Sequence, residues 1–119
     1  VKMMMADVAM IYHGWFTKPE AEMNEVAAWC KPAHIISLKM LMTNPEKQIA
    51  EKDPDVFPAE MSDELLKNLP CMVMMTREFD QYRQDNEHLA ARLKKVGNLT
   101  GELYVRPGAC HYVTRGEID

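Results

Sequence analysis

Leu69-Pro-Cys-Met-Val-Met-Met-Thr-Arg-Glu-Phe-Asp80 decides how the rest of this chain is read. Cys71 to Thr76 is a continuous apolar run of strand length, the pattern of a strand covered on both faces. Downstream, Leu89, Leu93 and Val96 recur at helical spacing beside Ala90 and Ala91. Asp85 and Glu87 lie near the positive end of that helix, Lys94 and Lys95 near its negative end, and Gly97 follows as the stop. Glu102-Leu-Tyr-Val-Arg106 then alternates and ends at Pro107-Gly108, which reads as a second strand. Upstream, Ala6 to Tyr12, with the run Val8-Ala-Met-Ile11, reads as a third.

Between the first and second of these strands in chain order the pattern is helical. Thr17-Lys-Pro-Glu20 and Thr43-Asn-Pro-Glu46 each read as a helix start, with Thr capping exposed amides, Glu reaching back and Pro early in the first turn. The first helix is expected to run through about Cys30, with Met23, Val26, Ala27 and Cys30 on one face, and to end at Pro32. The second should reach about Lys52. Asp53-Pro-Asp-Val-Phe-Pro58 must be loop, and Ser62 is expected to cap a turn through Leu65, Leu66 and Leu69 that Pro70 closes. Strand, long helical excursion, strand, helix, strand is the order of an α/β unit on a parallel sheet. With only about three buried strands, such a sheet needs something to cover or extend it.

The composition narrows the class. The chain has 119 residues, 47% of them hydrophobic and 27% charged, which suits one globular domain rather than disorder or a coiled coil. Fourteen basic against 18 acidic residues give a net charge of −4, and no basic run exceeds Lys94-Lys95. That argues against a nucleic-acid partner. The apolar stretch Met3 to Tyr12 is broken by Asp7 and is about half the length a membrane span needs. No signal peptide is visible, although the sequence opens on Val1, which leaves a processed or truncated start open. Cys30, Cys71 and Cys110 are widely spaced and odd in number, which favours a reducing, intracellular compartment over a disulfide framework. The 11 methionines are read as core aliphatics.

Reactive side chains of α/β proteins stand just past the carboxyl ends of strands. Asp80 lies four residues beyond Thr76, and His111 five beyond Arg106. Neighbouring parallel strands would bring both to one edge, where the carboxylate accepts from the imidazole and fixes its tautomer. An ordinary loop Asp and a surface His are the alternative. Other constellations are weaker. Cys110 adjoins His111, but adjacent side chains point apart, so a thiol nucleophile is not favoured. Cys30, His34, Cys71, Cys110 and His111 form no zinc-ligand pattern, so no metal is expected, and Pro32 should break the helix that would align Cys30 with His34. His88 reads as a solvated helix residue, and Trp15 and Trp29 as core or interface aromatics. No Gly-rich phosphate loop is present and no cofactor is expected.

The segment from Leu69 to Asp80, followed by Tyr82-Arg83, Leu89-Ala-Ala-Arg-Leu93, Gly97 and Arg106-Pro-Gly-Ala-Cys-His111, resembles the carboxyl-terminal part of the hormone-sensitive-lipase-like carboxylesterases of the α/β-hydrolase fold. Asp53-Pro-Asp-Val-Phe-Pro58 is similar to that family's Asp-Pro-x-x-Ser-Pro segment. Ala9-Met-Ile-Tyr-His13 is similar to the strand after its nucleophile-bearing helix. The resemblance implies a Ser, Asp, His triad in which Asp80 matches the acid and His111 the general base. The nucleophile has no match: Ser37 and Ser62 are the only serines and neither is flanked by glycine. The oxyanion-hole segment is also missing, and His13-Gly14-Trp15 lies in the wrong place to supply it. Gln81 and Tyr82 replace Pro-Leu after the acid, Cys110 replaces Pro, Tyr112-Val113 replaces Gly-Phe, and Phe57 replaces Ser. These departures bear on the catalytic loops more than on the fold.

The expectation is therefore an incomplete three-layer α/β-hydrolase-like domain over residues 1–119 that lacks the nucleophile half. Residues 19–52 would form a cap-like excursion and residues 69–119 the acid and histidine segments. Hydrolysis of a small acyl ester would need the remainder of the domain, on the same or another polypeptide. A second reading is a hydrolase relic acting as a structural subunit, its open sheet covered by another protein chain. A third is a small independent binding module.

Overall fold

Strand β2, Cys71–Phe79, is the middle of a three-stranded parallel sheet in the computed structural model of the chain, which describes residues 3–6 and 12–111. It pairs on one side with β1, Met3–Ala6, placing Met3 opposite Cys71 and Ala6 opposite Met74. On the other side it pairs with β3, Tyr104–Cys110, placing Met75 opposite Tyr104 and Arg77 opposite Arg106. The first strand thus begins before Ala6, where the sequence expects a strand running to Tyr12. Residues 7–11 lie outside the described residues, and Tyr12 is no longer strand.

Among the described residues five α-helices connect the strands: α1 at Gly14–Thr17, α2 at Glu25–Leu41, α3 at Pro45–Glu51 and α4 at Asp63–Asn68 before β2, then α5 at Arg83–Lys95 before β3. Short polar side chains cap α2, α3 and α4. Asn24, not Thr17, opens α2 by accepting from the Ala27 amide at 2.8 Å. Asn44, not Thr43, opens α3 with Pro45 in its first turn, and Ser62 opens α4 by accepting from the Leu65 amide at 3.2 Å. Pro32 does not end a helix. It sits exposed inside α2, and its missing amide leaves the Ala28 carbonyl without the usual helical donor.

The core lies on one face of the sheet. Along β2 burial alternates: Met72, Met74 and Thr76 are buried, whereas Cys71, Val73 and Met75 are only half-buried. The buried face shares one cluster with Leu66 of α4, Leu89, Ala90 and Leu93 of α5, and Trp15 and Phe57 from the excursion. Removing a leucine-sized side chain from water here contributes about 1.5–3 kcal/mol. The expectation that β2 is covered equally on both faces is thus corrected for the described residues. The methionines divide likewise: Met72 and Met74 are core, while Met40 is 81% exposed.

Asn98 fastens the edge of this core. Its amide donates to the carbonyls of Leu66 at 2.8 Å and Leu69 at 3.0 Å, tying the end of α4 to the segment that enters β3. Gly97, at φ +77°, makes the turn out of α5 that the sequence assigned to it.

Candidate functional site

β3 is longer than its sequence suggested, because it runs through Pro107-Gly108 to Cys110 rather than stopping there. The ladder shifts on the way. Arg77 faces Arg106, an offset of 29, but Phe79 faces Cys110, an offset of 31. The two extra residues of β3 are accommodated at Gly108, whose φ of +67° suits glycine and whose amide donates to Glu78 Oε2 at 2.8 Å. The shift decides what stands beside Asp80. Continuing the first register would place residue 109 there; the second places His111.

Asp80 and His111 are accordingly in contact. His111 Nδ1 lies 3.1 Å from Asp80 Oδ1 and 3.0 Å from Oδ2. The Asp80 side chain is 3% exposed and that of His111 28%, so the carboxylate is enclosed and the ring reaches the surface. Asp80 Oδ1 also accepts the Tyr82 amide at 2.8 Å, and the Arg77 guanidinium lies 3.8 Å from Oδ2. A carboxylate held on several sides takes the proton side of Nδ1, which leaves the lone pair of the imidazole on Nε2. That is the electronic arrangement a general base requires.

A row of rings borders the pair. The Tyr82 ring meets His111 edge-on with centroids 4.9 Å apart and meets His34 at 5.1 Å, and the Tyr82 hydroxyl is 3.5 Å from His34 Nδ1. His34 in turn lies 4.2 Å from the fully buried Trp15. Burial pulls the His34 imidazole below its ordinary pKa. The Trp15 indole donates to Asp85 Oδ1 at 2.8 Å. Asp85 is fully buried, and desolvation pushes its carboxyl up to about 8, with the Trp15 bond opposing and the nearby Asp80 charge adding to the rise. It is therefore largely protonated near neutrality.

Sequence reasoning marked Asp80 and His111 but missed this surround. The sequence places Asp85 near the positive end of α5 and reads His88 as a solvated helix residue. Asp85 is core, and His88 is instead half-buried with Nε2 3.1 Å from Glu60. His34 was set aside because Pro32 was expected to break its helix. Of the tryptophans, Trp15 is core and Trp29 is 85% exposed on α2. Ser37 donates to the Ala33 carbonyl within α2 and Ser62 caps α4, so both serines have local structural partners. Cys110 is exposed at the end of β3. Among the described residues no three His, Cys, Asp or Glu side chains are grouped to hold a metal, and no helix is long and apolar enough to cross a membrane.

A family model described as the alpha/beta hydrolase fold matches residues 3–115. Among solved structures, carboxyl esterase 2 of the mycorrhizal fungus Tuber melanosporum superimposes with a TM-score of 0.51 at 19% identity. The likeness covers 92% of this chain and 34% of the esterase, so this chain spans about a third of that protein. At such identity the likeness shows the fold alone. No curated protein sequence matches.

Proposed function

Because the chain belongs to the α/β-hydrolase-fold family, we propose that it supplies the acid and the base of a serine-hydrolase triad acting on carboxylic esters. The observation that carries this reading is the contact of His111 Nδ1 with both Asp80 oxygens, at 3.1 and 3.0 Å, past the ends of two adjacent parallel strands. Asp80 would hold the imidazole in one tautomer and stabilise the imidazolium. His111 Nε2 would take the proton of a serine hydroxyl as that oxygen adds to the ester carbonyl, and return it to the departing alcohol. It would then deprotonate a water that releases the acid from the acyl-enzyme.

The serine would come from outside residues 1–119, since neither Ser37 nor Ser62 has the glycine neighbours of a nucleophile elbow. On this reading these residues alone do not complete the reaction, and residues 19–52 form one wall of an acyl pocket. Fluorophosphonate labelling of the native material tests it. The label is expected on a serine outside these residues; label on Ser37 or Ser62 would contradict it.

A second reading, a hydrolase-derived structural subunit, draws on the apolar stripe Trp29, Ile36, Met40 and Leu41, which α2 leaves 63–85% exposed. Native material that takes no fluorophosphonate label on any serine, while this chain co-purifies with a partner over that stripe, would favour it.

A further inference from the structure

Tyr82 makes two different contacts with the candidate acid and base. Its backbone amide bonds Asp80 Oδ1 at 2.8 Å, and its ring stands edge-on to His111 at 4.9 Å and 65°. His111 Nδ1 lies within hydrogen-bond distance of both carboxylate oxygens, which holds that nitrogen, and the Tyr82 ring adds a contact on the imidazole itself. We propose that Tyr82 is a positioning residue for His111, and that His34 of α2 braces it.

The brace is continuous with the core. The Tyr82 ring meets His34 at 5.1 Å and 64°, His34 meets Trp15 at 4.2 Å, and Trp15 is fixed by its bond to buried Asp85 at 2.8 Å. Tyr82 is the N-cap position of α5 and Asp85 lies in the first turn of that helix, so the row of contacts starts and ends on one element. Tyr82 touches both His34 of α2 and His111, so a movement of α2 can reach His111 through it. The resemblance in sequence places Leu, not Tyr, at this position. A leucine would keep the backbone bond to Asp80 and remove both ring contacts, so the substitution separates the two roles. The proposal rests on the assignment of Asp80 and His111 as acid and base.

Nitrogen-edited NMR of the histidine side chains in the full chain tests it without needing turnover. In the parent and in Tyr82→Phe, His111 is expected as one tautomer protonated on Nδ1, with that proton protected from exchange. Tyr82→Leu is expected to shift the His111 ring signals while Asp80 keeps the proton on Nδ1, and to speed exchange of that proton by about tenfold or more as the site opens locally. His34→Ala should act in the same direction to a smaller extent. A Tyr82→Leu spectrum that superimposes on the parent for His111 overturns the positioning role. If that variant does not fold, an unchanged His111 in His34→Ala overturns it instead, and an unchanged His111 there in any case overturns the brace from α2. Failure of the underlying assignment reads differently: His111→Ala would leave ester hydrolysis by the native material undiminished, whatever the spectrum shows.

Discussion

The Gly108 amide donates to the Glu78 carboxylate across the β2–β3 ladder at 2.8 Å, and this bond sits at the two-residue shift that sets His111 rather than residue 109 beside Asp80. The site is therefore made by an irregularity of the sheet. Gly108→Ala places a Cβ on a backbone at φ +67°. Among the described residues nothing lies within 4 Å of that Cβ, so the cost is conformational, about 1–2 kcal/mol. Urea unfolding should show that loss, and the protection of the His111 Nδ1 proton should fall with it. Equal stability of the two proteins would mean the left-handed turn is not required.

Asp85 gives the chain a stability that falls with rising pH. The native state keeps this proton up to about pH 8, whereas the unfolded carboxyl loses it near 3.8. Between those values the native state binds more protons, so stability decreases by up to about 1.4 kcal/mol per pH unit from this group. Asp85→Asn retains an acceptor for the Trp15 indole and should flatten that slope, making the variant the more stable protein at pH 7.5. His34, held below its usual 6.5 by burial, acts in the opposite sense: its contribution is present above pH 6.5 and is lost as pH falls below it. Thermal unfolding across pH 5–8 separates the two, and parallel curves for the parent and Asp85→Asn would contradict the burial of the carboxyl.

The two faces of β2 should respond unequally to truncation. Leu93→Ala opens a cavity in the covered face, where Leu93 is fully buried, and should cost about 2–5 kcal/mol. Met75→Ala, on the half-buried face, should cost clearly less in this chain. In material where the rest of a hydrolase domain covers that face, the Met75→Ala penalty should rise towards the Leu93 value. Equal costs in the isolated chain would mean both faces are already packed.

The α/β order was legible because the strongest signals were local. The apolar run Cys71 to Thr76, the periodic Leu89, Leu93 and Val96, and Gly97 as the stop all correspond to elements found. Ser62 was legible as a cap for the same reason. The errors arose where a residue's usual role was overridden by its surroundings. Pro32 is tolerated in α2 at an exposed position, Thr17 ends α1 while Asn24 caps α2, and Asn44 caps α3 in place of the adjacent Thr43. The strand did not stop at Pro107-Gly108 because glycine's positive φ lets the ladder resume two residues out of register.

The positions of Asp80 and His111 just past two strands could be read from spacing. Their contact depends on that register shift, which spacing does not encode. The residues around them were illegible for a related reason. Trp15, His34, Tyr82 and Asp85 come from α1, α2 and the start of α5, and only tertiary packing assembles them. A carboxylate at a helix start is ordinarily solvated, and nothing local marks Asp85 as one that is buried against an indole.

The most direct measurement is ester turnover by the native material with His111→Ala and Asp80→Asn set against the parent, alongside a check that each variant folds. If the pair acts as base and orienting acid, His111→Ala should lower kcat by about a thousandfold or more with a small change in KM, and Asp80→Asn should follow it. Undiminished kcat in folded His111→Ala would contradict the assignment.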